Sequence, residues 1–176
     1  NVAGVIRAFA AFCAREEKGA DAPRFSLLIT GKNTGTYAHT LVPLVEQLQL
    51  KDRVQFLGYV TNEQLAYLYS KATALVFPSF IEGFGMPVLE AMSVGLPVIT
   101  SHSGALAEVA GDAALLVDPA QPEDIAVAMR RVARDSTLRE ELKTKGVQRA
   151  GEFSWQKTAA KILEIMANLS HTGAAL

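Results

Sequence analysis

Five short apolar runs recur along the chain: FSLLIT (25–30), VQFLGYV (54–60), ALVFPS (74–79), PVITS (97–101) and AALLVD (113–118). Each is too short for a core helix, and none alternates polar with apolar residues as a strand with one wet face does. A strand that is apolar throughout must be covered on both faces, which implies a parallel sheet between layers of helices. The intervening stretches supply those helices. NVAGVIRAFAAFCAREE opens the chain with Val2, Val5, Ile6, Phe9, Phe12 and Cys13 at helical spacing, and Asn1 stands as its cap. Helical stretches follow around TYAHTLVPLVEQLQL, where Pro43 interrupts the first half, and over 61–72, 87–95 and ALAEVAG. Three more run over 121–134, 135–152 and 154–170. Thr61 is the cap candidate for the second of these helices, with its acid at Glu63, one position early for a capping box. Pro87 falls in the first turn of the third and Gly95 closes it. Strand and helix alternate without a repeat or linker, so the predicted architecture is one α/β domain over 1–176, a Rossmann-like doubly wound parallel sheet flanked by helices.

Bulk composition narrows the function. A net charge of −1 supplies no basic surface for a nucleic acid. The lone Cys13, in an apolar helix, reads as an inert packed thiol. No His and Cys have metal-ligand spacing, so no metal is expected. No apolar run reaches spanning length, and a single thiol fits a reducing compartment, so the expected location is cytoplasmic.

Open α/β sheets bind ligands beyond the carboxyl ends of their strands. The loops there are 31–35, 58–61, 78–86 and 101–104. The third belongs to FIEGFGMPVLEAMSVGLPVIT (80–100), which sets Glu82 before a glycine-rich turn and Glu90 on the helix after it. Residues 85–87 start that helix, where unpaired backbone amides and the helix dipole favour an anion such as a diphosphate. Gly83 and Gly85 let the backbone come close to a ligand. A carboxylate on an otherwise apolar helix needs hydrogen-bond donors, which sugar hydroxyls supply; an Arg or Lys from another helix would serve as well. Other candidates are weaker. GKNTG (31–35) has a Lys and two glycines in the wrong order for a phosphate loop and reads as plain surface. The fingerprint G-x-G-x-x-G and the esterase elbow G-x-S-x-G are absent. His39, His102 and His171 are scattered, Trp155 reads as a packing anchor, and RRVARDSTLREELKTKG reads as a solvated helical face.

The stretch PSFIEGFGMPVLEAMSVGLPVITS strongly resembles the nucleotide-sugar site of retaining glycosyltransferases of family 4, a group that includes many bacterial mannosyl- and glucosyltransferases. RVQFLGYVTNEQLAYLYSKATALVFPS, GALAEVAGDAALLVDPAQPEDIAVAM and FSWQKTAAKIL extend the likeness over nearly the whole chain. The resemblance implies the GT-B arrangement of two facing Rossmann-like domains, of which this chain is similar to the C-terminal, donor-binding one. The N-terminal acceptor domain is then absent from the chain, as are the first strand and the Arg and Lys that grip the diphosphate in that family. It further implies retaining transfer of a hexose, of mannose or glucose type, from a UDP-, GDP- or ADP-sugar to an acceptor hydroxyl in bacterial polysaccharide synthesis. The nucleotide sugar is a substrate, and neither cofactor nor metal is implied. Glu82 would contact the transferred sugar and is the implied catalytic residue. Glu90 would hold the ribose hydroxyls. The backbone of Gly83, Phe84, Gly85 and Met86 would meet sugar and diphosphate, Val88 and Leu89 would pack near the ribose, Tyr59 and Val60 would meet the base, and Gly31 would line the cleft. A nucleotide-sugar epimerase of GT-B shape and a non-catalytic nucleotide-binding module are the alternatives. The isolated chain would be inactive. Peripheral membrane association through the absent half, and dimerisation through an exposed sheet edge, are further expectations.

Overall fold

The computed structural model describes residues 1–16, 24–32 and 37–172. Helix α1 (Val2–Glu16) leads to strand β1 (Leu27–Thr30). A π-helical stretch (Tyr37–Leu41) runs into the short α2 (Val42–Gln47), with Pro43 in the first turn, where its missing N–H costs nothing. The predicted helix there is thus split in two, and GKNTG lies largely outside the described residues. Then come β2 (Val54–Gly58), α3 (Asn62–Lys71), β3 (Leu75–Phe77), α4 (Met86–Ser93), β4 (Val98–Ser101), α5 (Gly104–Ala110) and β5 (Leu115–Val117). Helices α6 (Pro122–Arg134), α7 (Ser136–Ala150) and α8 (Trp155–Thr172) close the chain.

Every strand pairing is parallel, as the apolar runs require, and the class is α/β. The sheet, however, is in two pieces: β1 pairs with β2, and β3-β4-β5 form a separate three-stranded sheet. Only β4 is buried along its whole length. Its successive residues point to opposite faces. Ile99 enters one apolar cluster, with α1, α2, α6, β2 and Val117 of β5, while Val98 enters a second, with α4 and α5. The other strands are only partly covered: residues of β1 and β2 alternate between better and worse covered positions, and β3 is half-buried throughout.

Helices α1 and α6 pack along each other. Val5, Ile6, Phe9 and Phe12 meet Ile125, Met129 and Val132, and Phe12 sets its edge against Phe25 at 5.1 Å between ring centroids. Cys13 is half-buried beside this cluster. The carbonyl of Asn1 accepts from Val5 N at 3.1 Å, as at a helix cap, but its side chain reaches elsewhere (below). Thr61 does cap α3 in a full capping box. The partner is Gln64, not an acid: its amide donates to Thr61 Oγ1 at 3.3 Å, and its Oε1 accepts from Thr61 N at 2.9 Å. The charge run is a solvated face as expected, with Lys145 between Glu141 and Asp112 at 2.9 and 3.1 Å.

Trp155 is not a packing anchor. It is 78% exposed, and Leu163 and Met166 of the same helix are exposed with it. The period of α8 is right for an apolar face, but no described helix lies where that face points. No described helix is long and apolar enough to cross a membrane.

Candidate functional site

The loop from β3 to α4 is held from below by β4. Thr100 and Ser101 are the two fully buried polar residues there. Thr100 Oγ1 donates to Phe77 O at 2.9 Å, and the Ser101 hydroxyl donates to Ser79 O. Buried hydroxyls must find acceptors, and these two find the carbonyls that begin the loop. Sequence reading treated PVITS as an apolar strand only; two hydroxyl residues closing such a run were the available signal.

Beyond Ser79 the loop turns outward. Phe80 is exposed and Ile81 is 91% exposed. Glu82 is half-buried, Gly83 exposed, and Gly85 buried with φ +108. Phe84 sits edge-on to Phe153 at 6.0 Å between centroids. Gly85 caps α4, its carbonyl accepting from Val88 N at 2.9 Å. Pro87 has no N–H to offer. The amides of Gly83, Phe84, Gly85 and Met86 donate to no acceptor among the described residues. Consecutive unsatisfied amides at a helix start form a cradle for an anion.

Glu90 lies one turn into α4 and is exposed, not buried as the apolar sequence around it suggests. The neighbours Val88, Ala91 and Met92 take the buried face, so the acid keeps to the open one. It lines a cleft of about 640 Å³ together with Pro87, Ser79, Thr30 and Tyr69. Neither Glu82 nor Glu90 forms an ion pair among the described residues, so the rival account of Glu90 as a partner for another helix finds no cation. Tyr69 is half-buried, and its phenol is pushed up to about 12, by burial first and by the negative charge of Glu90 second.

The remaining predicted residues divide. Leu89 is half-buried against the second cluster. Val88 is fully buried inside that cluster, so its side chain belongs to the core and not to a ribose pocket. Gly31 and Gly58 are joined by Gly31 N to Gly58 O at 2.9 Å, which sets Gly31, Tyr59 and Val60 together at the carboxyl end of β1 and β2. Tyr59 is 79% exposed there. This group lies on the β2 side of β1, whereas the cleft holding Glu90 opens on the other side. His102 is exposed at the end of β4 and lines no part of that cleft. Among the described residues no three His, Cys, Asp or Glu are grouped to hold a metal.

In a parallel α/β domain ligands bind beyond the carboxyl ends of the strands, where this chain sets its amide cradle and two acids. The chain belongs to the family Glycosyl transferases group 1, whose pattern it matches over residues 1–149. It is 39% identical over 140 residues to O-antigen chain mannosyltransferase B of Escherichia coli, covering 80% of this chain and 36% of that protein. Among solved structures it is similar to sucrose-phosphate synthase from Thermosynechococcus elongatus, with TM-score 0.78 and 29% identity over 98% of this chain and 44% of that one. HepE from Anabaena, solved with UDP and glucose, shares the fold, with TM-score 0.80 and 21% identity over 94% of this chain and 44% of that one. The chain thus spans about a third to under half the length of these relatives.

Proposed function

We propose that this chain is the donor-binding domain of a GT-B glycosyltransferase, and that it holds a nucleoside-diphosphate hexose for retaining transfer to an acceptor hydroxyl supplied with the remainder of the protein. The observation that carries this reading is the run of unbonded amides from Gly83 to Met86 between two carboxylates that form no ion pair among the described residues. The diphosphate sits on those amides. As the bond to the sugar breaks, negative charge grows on the leaving phosphate, and fixed amide dipoles stabilise it without reorganising. Glu82 accepts hydroxyl hydrogens of the transferred sugar, and Glu90 those of the ribose. Tyr59 and Val60 offer a face for the base from the end of β2. The catalytic assignment to Glu82, the absence of a metal requirement and the cytoplasmic setting are parts of the same proposal. The mannosyltransferase relative and the UDP complex of HepE support the sugar and nucleotide classes.

Two measurements test it. Titrating the chain with UDP, GDP and ADP, followed by amide chemical shifts, should move residues 82–90 with affinity of about a millimolar. In the full-length enzyme, Glu82→Ala should abolish transfer while leaving the unfolding transition in place. Shifts confined to other parts of the chain, or wild-type turnover by the variant, would refute the assignment.

A further inference from the structure

Asn1 stands where a helix cap is expected, yet its side chain does not act as one. A capping asparagine uses its side-chain oxygen to accept from an amide of the first turn. Among the described residues no amide donates to Asn1 Oδ1. The nitrogen instead spans two loops: Nδ2 donates to Pro78 O at 2.9 Å and to Pro119 O at 2.6 Å. A carboxamide nitrogen carries two hydrogens, one for each of these carbonyls. Aspartate caps helices equally well but has no hydrogen to offer there. Gly4 makes room for the arrangement. A β-carbon on it would lie 2.3 Å from Asn1 Oδ1 and 3.2 Å from Asn1 Nδ2.

The two carbonyls belong to different parts of the fold. Pro78 follows β3 and begins the loop that carries Glu82 to α4. Its carbonyl is the middle one of three, Phe77, Pro78 and Ser79, and each accepts from a side chain: Thr100 Oγ1, Asn1 Nδ2 and the Ser101 hydroxyl in turn. Strand β4 thus holds the first and third, and the start of α1 holds the second. Pro119 lies in the turn after β5, which is braced from within. Ala120 N donates to Asp118 Oδ1 at 2.9 Å, Gln121 N to Asp118 O at 3.1 Å, and Asp118 N to Asp124 Oδ2 at 2.7 Å. Both prolines are buried, where carbonyls depend on donors from the protein more than on water.

We infer that Asn1 is a positioning residue for the β3–α4 loop: its carboxamide ties Pro78 to the braced turn at Pro119, and so fixes where the amides of Gly83–Met86 and the carboxylate of Glu82 stand. Without the carboxamide the loop stays fastened to β4 through Thr100 and Ser101 but loses its tie to the β5 turn. A cradle of amide dipoles works because it is set before the anion arrives. A loop that samples several positions binds more weakly, in proportion to the time it spends out of place. The consequence for a nucleotide rests on the donor-site reading above; the hold of Asn1 on the loop does not. Capping and tying also make different demands. A cap needs one oxygen, whereas the tie needs two N–H donors on one atom.

That difference supplies the test. Asn1→Asp and Asn1→Ser both keep a capping oxygen and remove the tie. In each, amide exchange at 80–86 should quicken by about tenfold while residues 6–9 of α1 exchange as before. Gly4→Ala approaches from the other side. Alanine favours a helix over glycine, yet its β-carbon must turn the Asn1 amide out of line. Exchange at 80–86 should therefore quicken while α1 holds or slows. Titration with UDP, followed by shifts at 82–90, should give an affinity about fivefold weaker in all three variants. Unchanged exchange at 80–86, or loop and α1 quickening together, would overturn the inference. So would a loss of affinity confined to Asn1→Asp, which marks repulsion by a new charge and not a missing tie. If UDP fails to shift the unaltered chain, the donor-site reading falls, and the exchange rates still decide whether Asn1 holds the loop.

Discussion

Gly85 stands so close to Leu106 that a β-carbon built on it would lie 2.6 Å from Leu106 Cδ2. Its φ of +108 is also one that side-chain-bearing residues avoid. Helix α5 thus fixes how sharply the β3–α4 loop turns into α4. Gly83, two residues earlier, has open space around it. Gly85→Ala should cost about 1–3 kcal/mol in urea denaturation. Gly83→Ala should leave stability within about 0.5 kcal/mol and, on the proposed reading, weaken nucleotide binding by obstructing the approach to the backbone. A stable Gly85→Ala protein would show that α5 yields and that the turn is not held as described.

Arg149 ties the end of α7 to α5 and, through an aromatic pair, to the loop. Its Nη2 donates to Glu108 O at 2.6 Å and its Nε to Val109 O at 3.0 Å. Its guanidinium lies 4.9 Å from the Phe153 ring, which in turn meets Phe84. Arg149→Met leaves two helix-end carbonyls without their donor and should destabilise by about 1–3 kcal/mol. Phe153→Ala should cost about 1 kcal/mol beyond lost burial and speed exchange of the amides at 80–86. Unchanged exchange there would mean that Phe84 is held by other contacts.

The order of elements was legible because apolar runs and helical periods are local signals. The two glutamates and the glycines between them were legible because acids inside an apolar stretch are conspicuous. Other features were not. Val88 follows the site motif in sequence, yet its direction on α4 is set by Leu106 and Val98, which no local pattern reveals. Trp155 looks like an anchor, but anchoring depends on a partner surface, and periodicity does not report whether one exists. The division into a β1-β2 pair and a β3-β4-β5 sheet depends on strand order, which adjacent residues do not encode; sequence reading expected a single doubly wound sheet. The capping box was missed for a simpler reason, since an amide at Gln64 serves as well as an acid.

Thr100 and Ser101 should matter out of proportion to their size. Thr100→Val keeps the shape but leaves Phe77 O without its hydroxyl donor, and Ser101→Ala does the same to Ser79 O. Each should destabilise by about 1–2 kcal/mol by chemical denaturation. The double variant should equal the sum of the two single effects if the bonds act independently, and fall short of it if the loop lifts as a unit. Nucleotide-induced shifts at 82–90 should shrink in both single variants, since the loop starts at those carbonyls. Undiminished shifts would separate the buried hydroxyls from the site.

Tyr69 provides a pH-dependent probe of the cleft. Burial, and after it the charge of Glu90, raise its phenol from the ordinary 10.0 to about 12. Between those values the folded chain keeps a proton that the unfolded chain has released, so folding stability must fall as pH rises through that window. The contribution is fully present below pH about 10 and lost above about 12. Tyr69→Phe should flatten this dependence in urea denaturation and remove the latest-titrating component of phenolate absorbance. Glu90→Gln removes the second cause and should shift that component to lower pH without abolishing it. If Glu90→Gln leaves the titration in place, the acid does not face the phenol across the cleft, and its assignment as a cleft-lining carboxylate fails with it.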